Sequence, residues 1–135
     1  MQDTFGRTID YLRISVTEAC NFRCIYCAPN GHTTPTTSPL SVEDIRHVVS
    51  ASVALGITKI RLTGGEPLLR RDILEIVRRA AERGLWVVVG TNGVSITENL
   101  AKRLAEAGAR GLSLSLDALD PDRHDRFRKV RGAWR

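Results

Sequence analysis

Segments patterned as strands and as helices alternate four times along this chain of 135 residues, and that alternation restricts the fold more than any other feature. Leu12-Arg13-Ile14-Ser15-Val16-Thr17 alternates apolar and polar side chains, as a half-buried strand does. Ser41, with Asp44 three residues on, is a helix N-cap, and the stripe Val42, Ile45, Val48, Val49 and Ser52 runs on to Gly56. Thr58–Thr63 is the second strand and leads into Gly64-Gly65-Glu66-Pro67. Leu69, Ile73, Ile76, Val77 and Ala80 form the next helical stripe, stopped by Gly84. Leu85–Val89 is an apolar strand with Thr91-Asn92-Gly93 as its turn, and Thr97 caps a helix through Leu100, Leu104 and Ala107 to Gly108. Gly111–Asp117 alternates again, and Asp120-Pro121 is a cap and first position for a final helix. Strands separated by helices long enough to be right-handed crossovers predict a parallel α/β sheet. Residues 1–135 read as one domain of about four βα units, with no linker dividing them.

The strands carry a second pattern. Arg13, Ser15 and Thr17 share one face of the first strand, as do Lys59, Arg61 and Thr63 in the second and Ser113, Ser115 and Asp117 in the fourth. A parallel sheet covered by helices on both sides reads as apolar throughout. Here one face is polar and basic. Either that face is open to water, or it lines the lumen of an incomplete TIM-like βα barrel that holds a polar ligand, and the motifs after the strand ends favour the barrel.

Charge and composition narrow the partners. The net charge of +5 admits an anionic partner, but the basic residues are scattered and aromatic residues make up only 5%, which leaves little for a base-stacking surface. A small phosphorylated substrate suits the same charge, and nucleic acid is not expected. No apolar run is long enough for a membrane span and the N-terminus has no apolar signal core, so a cytoplasmic protein is expected. All three cysteines fall in Cys20-Asn21-Phe22-Arg23-Cys24-Ile25-Tyr26-Cys27, with the spacing C-x3-C-x2-C. An odd number of cysteines this close together is no disulfide framework; it is a metal-binding pattern in a reducing compartment. Three thiolates can hold a 4Fe–4S cluster and leave one iron open to an exogenous molecule. Zinc, with His32 as a fourth ligand, is the alternative.

C-x3-C-x2-C with an aromatic residue before the last cysteine, followed after the next strand by Gly64-Gly65-Glu66-Pro67, resembles the radical S-adenosylmethionine (SAM) superfamily. The resemblance implies that Cys20, Cys24 and Cys27 hold the cluster and that S-adenosylmethionine binds its open iron. Tyr26 would then contact the cofactor near its adenine, and the backbone at Gly64, Gly65 and Glu66 would receive its methionine end. Phe5-Gly6-Arg7, Tyr11–Thr17, Lys59–Pro67 and Ser115–Asp120 occur in the order seen in one member family, the GTP 3',8-cyclases of molybdenum cofactor biosynthesis. By that likeness Arg13 and Arg61 contact GTP, Gly65 and Ser115 contact S-adenosylmethionine, and a protein reductant such as flavodoxin or ferredoxin delivers the electron.

The chain departs from the family pattern in three places. Gly90 stands where the family has threonine, and Ser113 and Ala118 stand where it has asparagine and serine. The family's second cysteine triplet has no counterpart in these residues. The alternatives are therefore a relative acting on a peptide or another small molecule, or a truncated, non-catalytic fragment that binds a cluster or zinc. An open sheet edge after the fourth strand makes a homo-oligomer possible.

Overall fold

The computed structural model describes residues 2–27 and 38–135. The turn-rich segment at residues 29–37, with His32, lies outside the described residues. Four strands, β1 (Tyr11–Ser15), β2 (Lys59–Thr63), β3 (Trp86–Thr91) and β4 (Ala109–Leu114), form one sheet in sequence order. Every neighbouring pair is parallel. Helices α1 (Val42–Ala54), α2 (Ile73–Ala81) and α3 (Glu98–Glu106) are the crossovers, and α4 (Pro121–Arg128) follows β4. This is the arc of a βα barrel rather than a closed one.

The caps explain where the helices start. Ser41 Oγ accepts from Asp44 N at 3.1 Å while Asp44 Oδ2 accepts from Ser41 N at 2.9 Å, which satisfies two end donors reciprocally. Thr97 Oγ1 accepts from Leu100 N at 3.1 Å and Asp120 Oδ1 from Arg123 N at 2.8 Å. The core lies on one face of the sheet only. Ile14, Ile60, Leu62, Val87 and Val89 pack there against Ile45 and Val49 of α1, Ile76 and Val77 of α2, and Leu104 of α3. Burying each such side chain contributes about 1.5–3 kcal/mol. The opposite face keeps the polar positions Arg13, Arg61 and Ser113.

Several boundaries differ from the sequence reading, β1 among them, which runs Tyr11–Ser15 rather than Leu12–Thr17. The second helical stripe is split: Pro67–Leu69 is a single 3-10 turn and α2 starts only at Ile73. The break falls at Arg70, whose backbone is extended because its side chain is drawn away into the fold. Thr91 ends β3 instead of belonging to the turn. β4 starts earlier, at Ala109, and stops at Leu114, which leaves Asp117 beyond the strand. A register irregularity pairs Val87 with Ala109 but Val88 with Gly111, so Arg110 is the extra residue of a bulge. No helix among the described residues is long and apolar enough to cross a membrane.

Arg70 joins distant parts of the chain. Its Nη1 donates to Val16 O at 2.6 Å and Leu40 O at 2.8 Å, while Nε and Nη2 grip Asp72 at 2.8 and 2.6 Å. Its side chain is 9% exposed. Arg70→Ala should therefore cost about 2–3 kcal/mol in urea unfolding, since it strands two carbonyls and a carboxylate. The hydrogen bonds from Arg70 hold the Asp72 carboxyl below its ordinary pKa. The contribution of the pair should be complete above the ordinary carboxylate pKa and fade as pH falls through the lowered one. The alanine variant should lack that acid-dependent component.

Candidate functional site

The site forms where β1, β2 and β3 end, and two glycines make it possible. Gly65 N donates to Thr17 O at 2.7 Å and Glu66 N to Ala19 O at 2.8 Å, tying the turn after β2 to the segment that leads into the cysteines. A Cβ on Gly64 would sit 2.2 Å from Thr17 O, and one on Gly65 would sit 2.3 Å from Ala19 O. Gly64 also has φ +137, a conformation other residues rarely adopt. With these amide donors engaged, the turn has carbonyl oxygens left to offer a ligand, and these suit an ammonium group.

Glu66 then joins β2 to β3. Its carboxyl group is buried and accepts from Leu68 N at 3.0 Å, Thr91 Oγ1 at 2.8 Å and Asn92 N at 2.7 Å. Asn92 Nδ2 reaches on to Asn21 Oδ1 at 2.7 Å, so the end of β3 also holds the cysteine loop. On its other side the loop is docked to α4 and the residues after it. Arg23 N and Ile25 N donate to the carbonyls of Arg128 and Phe127, and Phe22 and Cys24 bury themselves with Ala133.

The residues expected at the cluster, cofactor and substrate line one cavity of about 280 Å³: Cys20, Cys24 and Cys27, with Tyr26, Gly64, Gly65, Glu66, Ser115, Arg13 and Arg61; Lys59, Ser113 and Asp117 do not line it, and His32 lies outside the described residues. Cys24 is buried, Cys20 half-buried and Cys27 exposed. Burial pushes the Cys20 thiol up, against a hydrogen bond from Phe22 N to its sulfur at 3.3 Å. Among the described residues, no three His, Cys, Asp or Glu side chains converge to hold one metal ion. A zinc ion needs its ligands gathered at a single point. An iron–sulfur cube instead takes each thiolate on a different iron, so thiols set around a shared cavity fit it.

Two arginines face each other across neighbouring strands. Arg13 and Arg61 are register partners in the β1–β2 pair and line the same cavity. Like charges side by side repel, so this placement is unfavourable until an anion lies between them. Arg61 Nη2 donates to Ser113 Oγ at 2.8 Å, whereas its Nε is buried without a hydrogen-bond partner. A Cβ on Gly90 would come within 3.0 Å of that Nε. Two of the departures from the family pattern, Gly90 and Ser113, therefore touch the same guanidinium. Ser115 follows β4, with its N–H bound to Thr91 O at 3.0 Å. Tyr26 donates to Asp117 Oδ1 at 3.1 Å. Loss of hydration, reinforced by Cys24 and Asp117 against the pull of Arg128, pushes its phenol up to about 12.

The sequence reading missed Arg128 and Asn92, which line the cavity, and Thr91 as a hydrogen-bond donor to Glu66. Arg128 is buried, donates to Cys24 Sγ at 3.5 Å and carries a guanidinium 5.8 Å from the Tyr26 ring. One signal was available. His124 and Arg128 are spaced i,i+4 on a helix with almost no apolar stripe, and such a helix has to bury polar side chains.

The pattern of the radical SAM superfamily matches residues 14–135. The GTP 3',8-cyclase of Marinobacter nauticus is 47% identical over 124 residues, covering 91% of this chain and 38% of that protein. The GTP 3',8-cyclase of Pelotomaculum thermopropionicum is 42% identical, covering 99% of this chain and 43% of its own length. The chain thus spans about two fifths of these relatives. Among solved structures, Streptococcus suis SuiB bound to S-adenosylmethionine superposes with a TM-score of 0.76 at 22% identity, over 90% of this chain and 28% of that one. Methylornithine synthase gives 0.74 at 22% identity, over 91% and 37%. With the family pattern running from β1 to the last residue, the chain belongs to the radical SAM superfamily.

Proposed function

We propose that residues 1–135 are the N-terminal part of a radical SAM core and serve a GTP 3',8-cyclase of molybdenum cofactor biosynthesis. The observation that carries this reading is that three thiols and two register-paired arginines line one cavity. The two named cyclases, each above 40% identity, support it. When bound, a 4Fe–4S cluster and S-adenosylmethionine would supply one-electron and radical chemistry for hydrogen-atom abstraction from GTP.

The chain's own residues bind and orient. Cys20, Cys24 and Cys27 hold the cluster as thiolates, leaving one iron for the cofactor. The carbonyls of the Gly64–Gly65 turn receive the ammonium of the methionine end, with Tyr26 and Ser115 on the rest of the cofactor. Arg13 and Arg61 take the triphosphate through charge-assisted, forked hydrogen bonds. An external protein reductant supplies the electron. A second reading, a relative with a different anionic substrate, is favoured by one observation. Gly90 and Ser113 seat Arg61 toward β4, where a threonine at position 90 would crowd it.

Anaerobic reconstitution should give protein with iron and sulfide in equal amounts, and Cys24→Ala should lose both. A colourless product holding stoichiometric zinc would refute the cluster. Because burial pushes the Cys20 thiol up, ligation must displace its proton. Visible absorbance from the cluster should therefore be retained on raising the pH and fade on lowering it.

Replacing Arg13 or Arg61 by alanine should weaken GTP binding about 10- to 100-fold, the value of roughly 1.5–3 kcal/mol for a charged hydrogen bond. Lysine should restore only part of it, and S-adenosylmethionine affinity should stay unchanged. Calorimetry on cluster-loaded protein measures both. Normal GTP affinity in both alanine variants would remove the substrate assignment. Tighter GTP binding in Gly90→Thr than in the unaltered chain would favour the second reading.

A further inference from the structure

Arg128 ends α4, and its buried side chain contributes nothing to the helix itself. It points back at the cysteine loop. Nη1 donates to Cys24 Sγ at 3.5 Å and Nη2 to Ser115 O at 2.8 Å. Nε lies 2.7 Å from Asp117 Oδ2, close enough for an ion pair, although its N–H is not aimed to form a hydrogen bond. The guanidinium also sits 6.0 Å from the Phe22 ring and 5.8 Å from the Tyr26 ring.

A buried arginine is costly, and the carboxylate that pairs with it is itself partly exposed. Docking of the loop does not call for the charge. Arg23 N to Arg128 O at 3.3 Å and Ile25 N to Phe127 O at 2.9 Å already hold the loop through the backbone. What the side chain adds is a fixed positive charge and a donor on one specific sulfur. Arg23, Arg123 and Arg126 are nearby in sequence to the loop or the helix, but they are exposed, where water and salt screen them.

We propose that Arg128 is a positioning and tuning residue that makes the thiolate-held cluster easier to reduce, by donating to the Cys24 sulfur. This rests on the iron–sulfur reading of the three cysteines. Hydrogen bonds and positive charge at a ligating sulfur offset the negative charge that a cluster gains with its electron, and so raise its reduction potential. Cys24 and Arg128 are both buried, which strengthens the effect. Asp117 opposes it as the counter-charge and orients the guanidinium from the far side.

The test is a redox titration of anaerobically reconstituted protein, followed by visible absorbance and electron paramagnetic resonance, for the unaltered chain, Arg128→Met, Arg128→Lys and Asp117→Asn. Iron and sulfide content and the unfolding midpoint of the metal-free protein are measured in parallel. The methionine variant should shift to a lower midpoint potential with its iron content retained, and lysine should recover part of the shift. Asp117→Asn should shift the opposite way, to a higher potential, which a loss of stability alone cannot produce. If the methionine variant does not fold, the lysine and asparagine variants still decide the sign. Equal potentials in the iron-loaded variants and the unaltered chain overturn this proposal and leave the cluster reading standing. An unaltered chain that takes up no iron and sulfide overturns both.

Discussion

Backbone from two different strands meets at Gly64 and Gly65 with no side chain between, and most of the site depends on that contact. The carbonyls of Thr17 and Ala19 would lie 2.2 and 2.3 Å from any added Cβ, so only glycine lets the two N–H···O hydrogen bonds form. Once they form, the cysteine loop starts at a fixed place over the end of β2. Glu66 extends the contact sideways by accepting from Thr91 and Asn92 at the end of β3. Three strand ends and one loop are thereby tied to one another by the chain's own hydrogen bonds. Preorganisation of this kind matters for radical chemistry, because a reactive species has to be generated close to its target and away from water.

The second constraint is electrostatic. A cavity that collects thiolates wants positive charge around it, and one that collects a triphosphate wants it too. Arg13, Arg61 and Arg128 all line this cavity. They are not interchangeable. Arg13 is exposed, Arg61 is braced by Ser113, and Arg128 is buried against Cys24. The graded burial leaves Arg13 open to screening by water and places the buried charge of Arg128 at the sulfur.

The architecture was readable because each βα unit carries local signals: caps at Ser41, Thr97 and Asp120, stops at Gly56, Gly84 and Gly108, and alternation in the strands. The cysteines and the Gly64–Gly65 turn were readable because their chemistry depends on close spacing. What sequence alone could not show was long-range. β4 stops at Leu114 and leaves Asp117 off the strand, where it meets Tyr26 and Arg128 instead of the sheet face. Arg128 looked like its neighbours Arg123, Arg126 and Arg131, and only the docking of α4 on the loop distinguishes it. The Arg13–Arg61 pairing needed the register, which local patterns do not give.

The sheet's period-two alternation accounts for both halves of the structure at once. In β2, Ile60 and Leu62 point into the helix-covered core while Arg61 lies on the face that lines the cavity. In β1, Ile14 does the first job and Arg13 the second. A one-residue slip of β1 against β2 would therefore exchange core for site, putting arginine among the helices and isoleucine in the cavity. The apolar set thus holds the register that aligns Arg13 with Arg61, and the stability of the fold and the placement of the two arginines rest on the same pairing. That coupling also limits how the site can vary. Substitutions at Gly90 and Ser113 can re-aim Arg61 without disturbing the core, because both touch only its polar end. Changes at Arg13 or Arg61 alter the charge itself. Variation in what the cavity accepts is thus expected first on β3 and β4, where the chain already departs from the cyclase pattern.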